Sequence, residues 1–359
     1  MIVRRLWLTD FRNHEQTDLL LSSKVTLIVG LNGHGKTNLI EAIHLLSGAK
    51  SFRGAKVDAL VMYGKTSAYV RAEVERGDNT RLVELQFATE GRSKAQVNRQ
   101  KLKRFRDLGD TVRVVVFSPD DLELLKGPPS ARRAMVDEVI AASDIEFRAV
   151  RTEFDQILRQ RNNLLKQAKG QYSSSIQASL DVWNEQFLVA GEAVAEYRQE
   201  FLAKLGPVVQ DFYAQISDTS EPVSLFVQGD WQQIGMNVAL EAARSDEFRR
   251  GMTLIGPHRD DITILLDSLP SRTHASQGEQ RSLALALRLA TYLYIEAATG
   301  DQPLVLLDDV FSELDEERAR RLVECLPDSQ IILTSATGTV PNGVDPSRIL
   351  EIMDGQVHE

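Results

Sequence analysis

Gly30-Leu31-Asn32-Gly33-His34-Gly35-Lys36-Thr37 specifies a chemistry by residue type and spacing: a glycine, four residues, then Gly-Lys-Thr, the pattern of a phosphate loop. Gly30 lets the chain leave a strand sharply, and Gly35 allows backbone N–H groups to close on phosphate oxygens. A helix beginning near Lys36 points the positive end of its dipole at the same oxygens. Lys36 can reach the β- and γ-phosphates, and the Thr37 hydroxyl can meet Mg²⁺. A second element should share that ion. Leu304-Val305-Leu306-Leu307-Asp308-Asp309 supplies it, an apolar strand ending in two adjacent carboxylates. Asp308 is then a direct or water-mediated partner of Mg²⁺, while Asp309 points differently and can orient or deprotonate an attacking water. A nucleoside triphosphate and Mg²⁺ are the small molecules these residues call for, with Lys36 and Asp309 in the catalytic roles.

A third motif, Ala275-Ser276-Gln277-Gly278-Glu279-Gln280-Arg281-Ser282, precedes the apolar helix Leu283–Ala298. Alone it reads as a helix N-cap. Placed shortly upstream of Asp308, it looks like the signature loop of an ATP-binding cassette. Such a loop offers a γ-phosphate a serine hydroxyl (Ser276), a glycine N–H (Gly278) and a helix N-terminus, with Glu279 beside them. Ser312-Glu313-Leu314-Asp315, soon after Asp309, resembles the loop that crosses the dimer interface in that superfamily.

Elements must position these groups. Val25–Val29 is a β-branched run ending at Gly30, followed by a helical pattern from Lys36 to Leu46. Ala68–Val74 and Leu82–Phe87 alternate apolar and polar residues as half-buried strands do. Val97–Leu102 reads as a hairpin turning near Asn98-Arg99, and Val112–Phe117 as a buried strand. From Asp120 to about Ser245 the pattern turns to long helices. Leu180, Trp183, Phe187, Ala190, Val194, Tyr197, Phe201 and Leu205 form an a/d-like stripe. Upstream, Phe147, Val150, Phe154, Ile157 and Leu164 form another, interrupted by Arg161. With Gly170–Ser175 as the connector, this predicts an antiparallel helical hairpin with arms of roughly 35–40 Å; ordinary amphipathic helices on a globular core are the alternative. Leu304–Leu307 and Gln330–Thr334 read as parallel buried strands around a charged helix, Asp315–Leu326.

Composition bounds the rest. With 42 Lys and Arg against 51 Asp and Glu, the formal charge is −9, and 43% of residues are hydrophobic. That is a globular composition, too apolar for intrinsic disorder. The lone cysteine, Cys325, excludes an intramolecular disulfide and a cysteine zinc site, and fits a reducing cytoplasm. Asp10, Arg12 and Glu15 come too early for a signal peptide, and no apolar run is long enough to span a membrane. Overall acidity argues mildly against nonspecific nucleic-acid binding. Locally the balance reverses: between Gly91 and Arg106 stand Arg92, Lys94, Arg99, Lys101, Lys103, Arg104 and Arg106 with no acid among them. Lys101, Lys103 and Arg104 on this hairpin, and Arg132 and Arg133 in the helical block, are the candidate contacts to duplex DNA; a solvated basic hairpin and structural ion pairs are the bland readings of the same residues. Nothing reads as base-specific.

The order of these motifs resembles the ABC-type head ATPases of the SMC and recombination-repair class, and within it the RecF family. The resemblance covers essentially the whole chain. It includes Leu8-Thr9-Asp10-Phe11-Arg12-Asn13, Phe117-Ser118-Pro119-Asp120-Asp121-Leu122, Lys126-Gly127-Pro128-Pro129-Ser130-Ala131-Arg132-Arg133 with Asp137, and Gly256-Pro257-His258-Arg259-Asp260-Asp261. It implies an α/β head whose phosphate-loop sheet is built from both chain ends: residues 1–121 and 255–359 form the ATPase lobe, and 122–254 an inserted, mostly helical lobe. It also implies an ATP-dependent homodimer in which Ser276 of one subunit completes the site at Lys36 of the other, sequence-nonspecific binding of double-stranded DNA, and weak ATP hydrolysis. RecR, with RecO, and indirectly RecA at gaps, are the partners it implies. The chain departs from the class in places. Ala134-Met135-Val136 replaces a bulkier trio, and Asp309 stands where glutamate is common, which predicts slow hydrolysis. Thr334-Ser335-Ala336-Thr337 occupies the place of a switch histidine, and no glutamine lies near Phe117–Pro119; Asn32 is one candidate to position water instead. The rivals are the ATPase subunit of an ABC transporter and the head of another SMC-type repair complex. A phosphate-loop kinase leaves Ser276–Gln280 unexplained.

Overall fold

The structure, a computed structural model, describes residues 1–168, 174–336, 338 and 340–358. They gather into two compact units. One holds residues 1–122, 212–219 and 277–359, the other 123–211 and 220–276.

The first unit opens with the antiparallel pair β1 (Ile2–Phe11) and β2 (His14–Leu20). Strand β3 (Val25–Val29) leads into α1 (Lys36–Leu45), and a short α2 (Val57–Leu60) follows. Then come β4 (Ser67–Arg76), β5 (Asn79–Ala88), β6 (Lys94–Val97), β7 (Gln100–Lys101) and β8 (Val114–Phe117). Strands β2-β1-β4-β5-β6-β7 make one antiparallel sheet. Alternation in β4 buries Ala68, Val70, Ala72 and Val74, and register places Val70 opposite Leu85 and Ala72 opposite Val83. Between β6 and β7, Asn98 and Arg99 both take positive φ (49° and 65°), the backbone a two-residue hairpin turn requires. The Asn98 side chain accepts from the Leu82 N–H at 2.8 Å.

The second unit takes over at α3 (Glu123–Lys126) and α4 (Pro129–Ser143), which begins on a proline, as helices tolerate at their first position. Helices α5 (Ile145–Ala168) and α6 (Ser174–Ser217) follow, the last residues of α6 grouping with the first unit. Of the connector expected at 170–175, residues 170–173 lie outside the described residues, and 174 and 175 already belong to α6. Strand β9 (Val223–Gln228) interrupts what the sequence pattern presents as continuous helix. Then come α7 (Met236–Arg250), β10 (Asp261–Leu266), β11 (Leu269–Pro270) and α8 (Ser271–His274). Because β10 pairs with β9, residues 255–276 group here rather than with the C-terminal stretch. Most residues of the two stripes are buried, with Val150, Leu164, Trp183 and Tyr197 half-buried, yet they do not form a private two-helix seam. Phe154 and Ile157 of α5 and Phe187, Ala190 and Val194 of α6 share one core with Trp231 and with Met236, Ala239 and Leu240 of α7.

Back in the first unit, α9 (Gln277–Thr299) precedes β12 (Leu304–Leu307), α10 (Glu316–Cys325), β13 (Ile331–Ser335), β14 (Arg348–Met353) and β15 (Gln356–His358). A second sheet runs β15-β14-β3-β13-β12-β8, parallel except at its β15 edge. All four residues of β12 are buried, the continuous apolar run expected of a covered parallel strand. Both chain ends build this sheet. Its registers set Leu27 beside Leu333 and Leu333 beside Leu307, so β3, β13 and β12 finish together at one carboxyl edge, where open α/β sheets place ligands.

Candidate functional site

The loop from Gly30 to Gly35 leaves β3 at that edge and delivers the chain to the N-terminus of α1. A Cβ at Gly30 (φ 155°) would collide with the Ile352 carbonyl oxygen. One at Gly35 (φ 115°) would come within 2.8 Å of Asn13 Nδ2 and 2.9 Å of His14 Nε2. Only glycine lets the loop lie against these neighbours. Leu31, Asn32 and Gly33 are exposed at the crest. His34 is braced from behind: its carbonyl accepts from the Asn13 amide at 3.2 Å and from the Gly355 N–H at 3.0 Å.

Lys36 is buried, and its ammonium donates to the carbonyls of Gly30 (2.6 Å) and Leu31 (3.0 Å), wrapped by its own loop. Burial pushes its pKa down, and the charges of Asp309 and Asp308 push back. Thr37 donates to Asp308 Oδ1 at 3.0 Å, which joins the loop to the end of β12. Burial raises the Asp308 pKa, against the lowering by hydrogen bonds from Thr334 and Thr37. A hydroxyl and a carboxylate side by side are hard oxygen donors, the chemistry a Mg²⁺ ion accepts. Among the described residues, no cluster of three or more His, Cys, Asp or Glu side chains offers an alternative metal site. Asp309 holds a left-handed backbone (φ 51°, ψ 27°). Beside the loop, Asp10, Asn13, Lys65, Asp354 and Gly355 help line a polar cavity of about 480 Å³.

The signature-like segment opens α9. Ser276 is exposed and groups with the second unit, while Gly278 and Glu279 sit half-exposed in the first turn of α9. A Cβ on Gly278 would meet the Arg318 guanidinium at 2.6 Å, and Arg318 pairs with Asp315. Arg281 reaches the Glu313 carbonyl at 2.8 Å. The signature-like helix and the Ser312–Asp315 loop are therefore locked together.

The basic candidates divide. Lys101, Lys103 and Arg104 are exposed on or just beyond the β6–β7 hairpin. Arg132 is not available: it is 4% exposed, bidentate to Asp261 at 2.8 and 2.9 Å, and donates to the Gly127 carbonyl. Arg133 also turns inward, to the Asp260 carbonyl. Arg132 is thus an internal tie of the second unit and not a surface contact for DNA, and half-exposed Arg133 ties the same unit rather than standing free in solvent.

Sequence reasoning missed the support around the loop. His14 is fully buried, with one ring nitrogen 3.1 Å from the Gly35 carbonyl and the other 2.9 Å from that of Gly355. Thr334 bonds both strand-end aspartates. The signal available was topological. Thr334 ends a strand whose place between β3 and β12 cannot be read without the sheet order.

A two-sheet α/β unit with a phosphate loop against an Asp-Asp strand end, and a signature-like loop opening a long helix, is an ABC-type ATPase head. The model of the RecF/RecN/SMC N-terminal domain family matches residues 2–355. The chain belongs to the RecF family. It is 37% identical over 372 residues to the DNA replication and repair protein RecF of Streptomyces avermitilis, covering 99% of each chain. It is similar to a solved structure of the recombination mediator protein RecF-ATP in the RecFOR pathway, with TM-score 0.88 and 30% identity over 99% of this chain and 97% of that one. The Smc head of Pyrococcus furiosus shares the fold, with TM-score 0.56 and 17% identity over 99% and 95% of the two chains. Among the described residues, no helix is long and apolar enough to cross a membrane.

Proposed function

We propose that this chain is an ATP-dependent DNA-binding clamp of recombinational repair and replication restart. In this reading Lys36 leaves the Gly30 and Leu31 carbonyls for the β- and γ-phosphates of ATP, and the backbone N–H groups of 31–35 cradle them. Thr37 and Asp308 are the residues that would hold Mg²⁺, which supplies positive charge to the same phosphate oxygens. Asp309 orients the attacking water or takes its proton, and its short side chain makes turnover slow. The cavity beside Asn13 has the polarity and size for the nucleoside. The hydrogen bond from Thr37 to Asp308 carries the reading, because it brings residues from opposite ends of the chain to 3.0 Å at the mouth of a phosphate loop.

Ser276, Gly278 and Glu279 complete the ATP site of a second copy, so ATP joins two subunits and hydrolysis releases them. Duplex DNA, bound without sequence preference through Lys101, Lys103 and Arg104, is the partner of the dimer. RecR, with RecO, is the protein partner that leads to RecA loading at gaps, in the cytoplasm. DNA binding measured with ATP, with ADP and without nucleotide tests the proposal: ATP-gated binding supports it, and equal binding in all three states sinks it. Light scattering adds a second check, since a monomer at every ATP concentration removes the clamp. Ser276→Arg should abolish the ATP dimer and spare nucleotide binding.

A further inference from the structure

We propose that Thr334 is a positioning residue for ATP hydrolysis, tying Asp308 and Asp309 to a single oxygen. This rests on the nucleotide reading above.

The sheet dictates the placement. Strand β13 lies between β3 and β12, and Leu307 sits beside Leu333. One residue further, Asp308 and Thr334 emerge at the same level of the carboxyl edge. Thr334 is 2% exposed. Its Oγ1 accepts from the Asp309 N–H at 2.8 Å and donates to Asp308 Oδ1 at 3.0 Å. A hydroxyl carries one proton and two lone pairs, and a backbone N–H can only donate. The polarity is therefore fixed: a lone pair goes to Asp309 and the proton to Asp308.

Two consequences follow for the site. First, Asp308 Oδ1 takes two donors, Thr37 and Thr334. The Thr37 proton can stay on Oδ1 while a lone pair of the same hydroxyl holds a cation, and Thr334 is the second donor that keeps Oδ1 in place. Second, Asp309 is a non-glycine residue in the left-handed region, a conformation that persists only where its surroundings over-determine it. Thr334 fixes its N–H, while Ser312 donates to its carbonyl from Oγ at 2.7 Å. A valine in place of Thr334 has the same shape but leaves the Asp309 N–H without its acceptor.

The test uses the full chain and reads ATP turnover, MgATP affinity and thermal stability for Thr334→Val and Thr334→Ser. Thr334→Val should lose about ten- to a hundred-fold in kcat, the scale of a small misplacement of a reacting group, with MgATP Kd within about threefold of wild type. Thr334→Ser should restore kcat to within about threefold, because it keeps the oxygen. Wild-type turnover in Thr334→Val overturns the proposal. So does Thr334→Ser failing as badly as Thr334→Val, or affinity and turnover falling together. If Thr334→Val does not fold, Thr334→Ala set against Thr334→Ser makes the same comparison at smaller volume. A wild-type protein that binds no MgATP would instead overturn the nucleotide reading itself, a failure visible before any variant is made.

Discussion

Buried charge is handled in opposite ways at the phosphate loop and in the core of the second unit. In the second unit it is closed. Arg161 is 1% exposed and gives its guanidinium to Glu247 at 2.5 Å, Thr253 at 2.7 Å and Asn184 at 2.9 Å. Arg198 and Arg151 both clasp Asp137. Each cation faces a fixed anion, which is what makes a buried charge tolerable. In the first unit Lys36 is nearly as buried, yet its acceptors are two carbonyls of a loop it must follow. Among the described residues, Asp308 takes two hydroxyl protons and forms no ion pair. The residue types are alike in both places. What marks the ligand site is that its charges hold neutral, exchangeable partners, while Arg161, Arg198 and Arg151 each spend a charge on its opposite.

Removing one charge from each region should break the comparison in different currencies. The largest effect belongs to Arg161→Leu, which leaves Glu247 buried and unpaired and should cost about 3–5 kcal/mol of unfolding free energy in a denaturant titration. Adding Glu247→Leu should recover much of that loss, since a buried pair replaced by apolar side chains is often neutral. Lys36→Met should do the reverse: melting unchanged or raised, and ATP affinity reduced about a hundred-fold or more, close to 2.7 kcal/mol in a nucleotide titration. Should Lys36→Met unfold the protein instead, the ammonium would belong to the structural class. Next comes Asp309→Asn, expected to lower kcat about tenfold or more while the dimer still assembles with ATP. Unchanged turnover would remove Asp309 from the role of base.

A smaller effect separates charge left in water from charge folded inward. Reversing Lys101, Lys103 and Arg104 to glutamate should weaken duplex binding by about tenfold or more at moderate salt and flatten its salt dependence, with stability unchanged. Arg132→Glu should instead register as lost stability. DNA affinity that survives the triple reversal would clear the β6–β7 hairpin of the role.

The phosphate site was largely legible because its constraints are local. A glycine that must pass a neighbouring carbonyl, a lysine and a threonine at the head of a helix, and an apolar strand ending in Asp308 are each written in a few adjacent residues. The supporting shell was not. Strand β1 contains Arg4, Arg5 and Asp10 within an uneven burial pattern, and its exit needs positive φ at Asp10 and Arg12, so no periodicity announces it. Strand β9 is six residues between long helices, and it exists because β10, far along the chain, pairs with it. Arg161 looked like an interruption of an apolar stripe. It is a core residue, because Glu247 comes from α7 to meet it. Arg132 read as a surface cation for the same reason, its partner Asp261 being far away in sequence. Sequence shows a charge; only tertiary pairing says whether it remains for a ligand.

The subtlest test of the closed network is its response to pH. His258 is packed against Phe154 and Phe187, and burial pushes its pKa down to about 4. Asp260 accepts from the Trp231 indole at 2.7 Å, and burial pushes its pKa up to about 6. For His258 the folded state binds fewer protons than the unfolded one between about pH 4 and 6.5. Its contribution to stability is present above pH 6.5 and is lost as pH falls through that window. For Asp260 the folded state binds more protons between about 3.8 and 6, so its contribution is full at low pH and is lost as pH rises toward 6. Between pH 4 and 6 the two slopes oppose, and the pair should leave wild-type stability nearly flat with respect to these groups. Asp260→Asn keeps an acceptor for Trp231 and removes one of the opposing titrations. Denaturant titrations of that variant at intervals from pH 4.5 to 6 should show stability climbing with pH more steeply than in wild type, by up to about 1.4 kcal/mol per pH unit. Identical slopes in the two proteins would mean that Asp260 stays ionised throughout, its charge satisfied by Arg133 and Arg198, and the closure of the network would then extend to its last carboxylate.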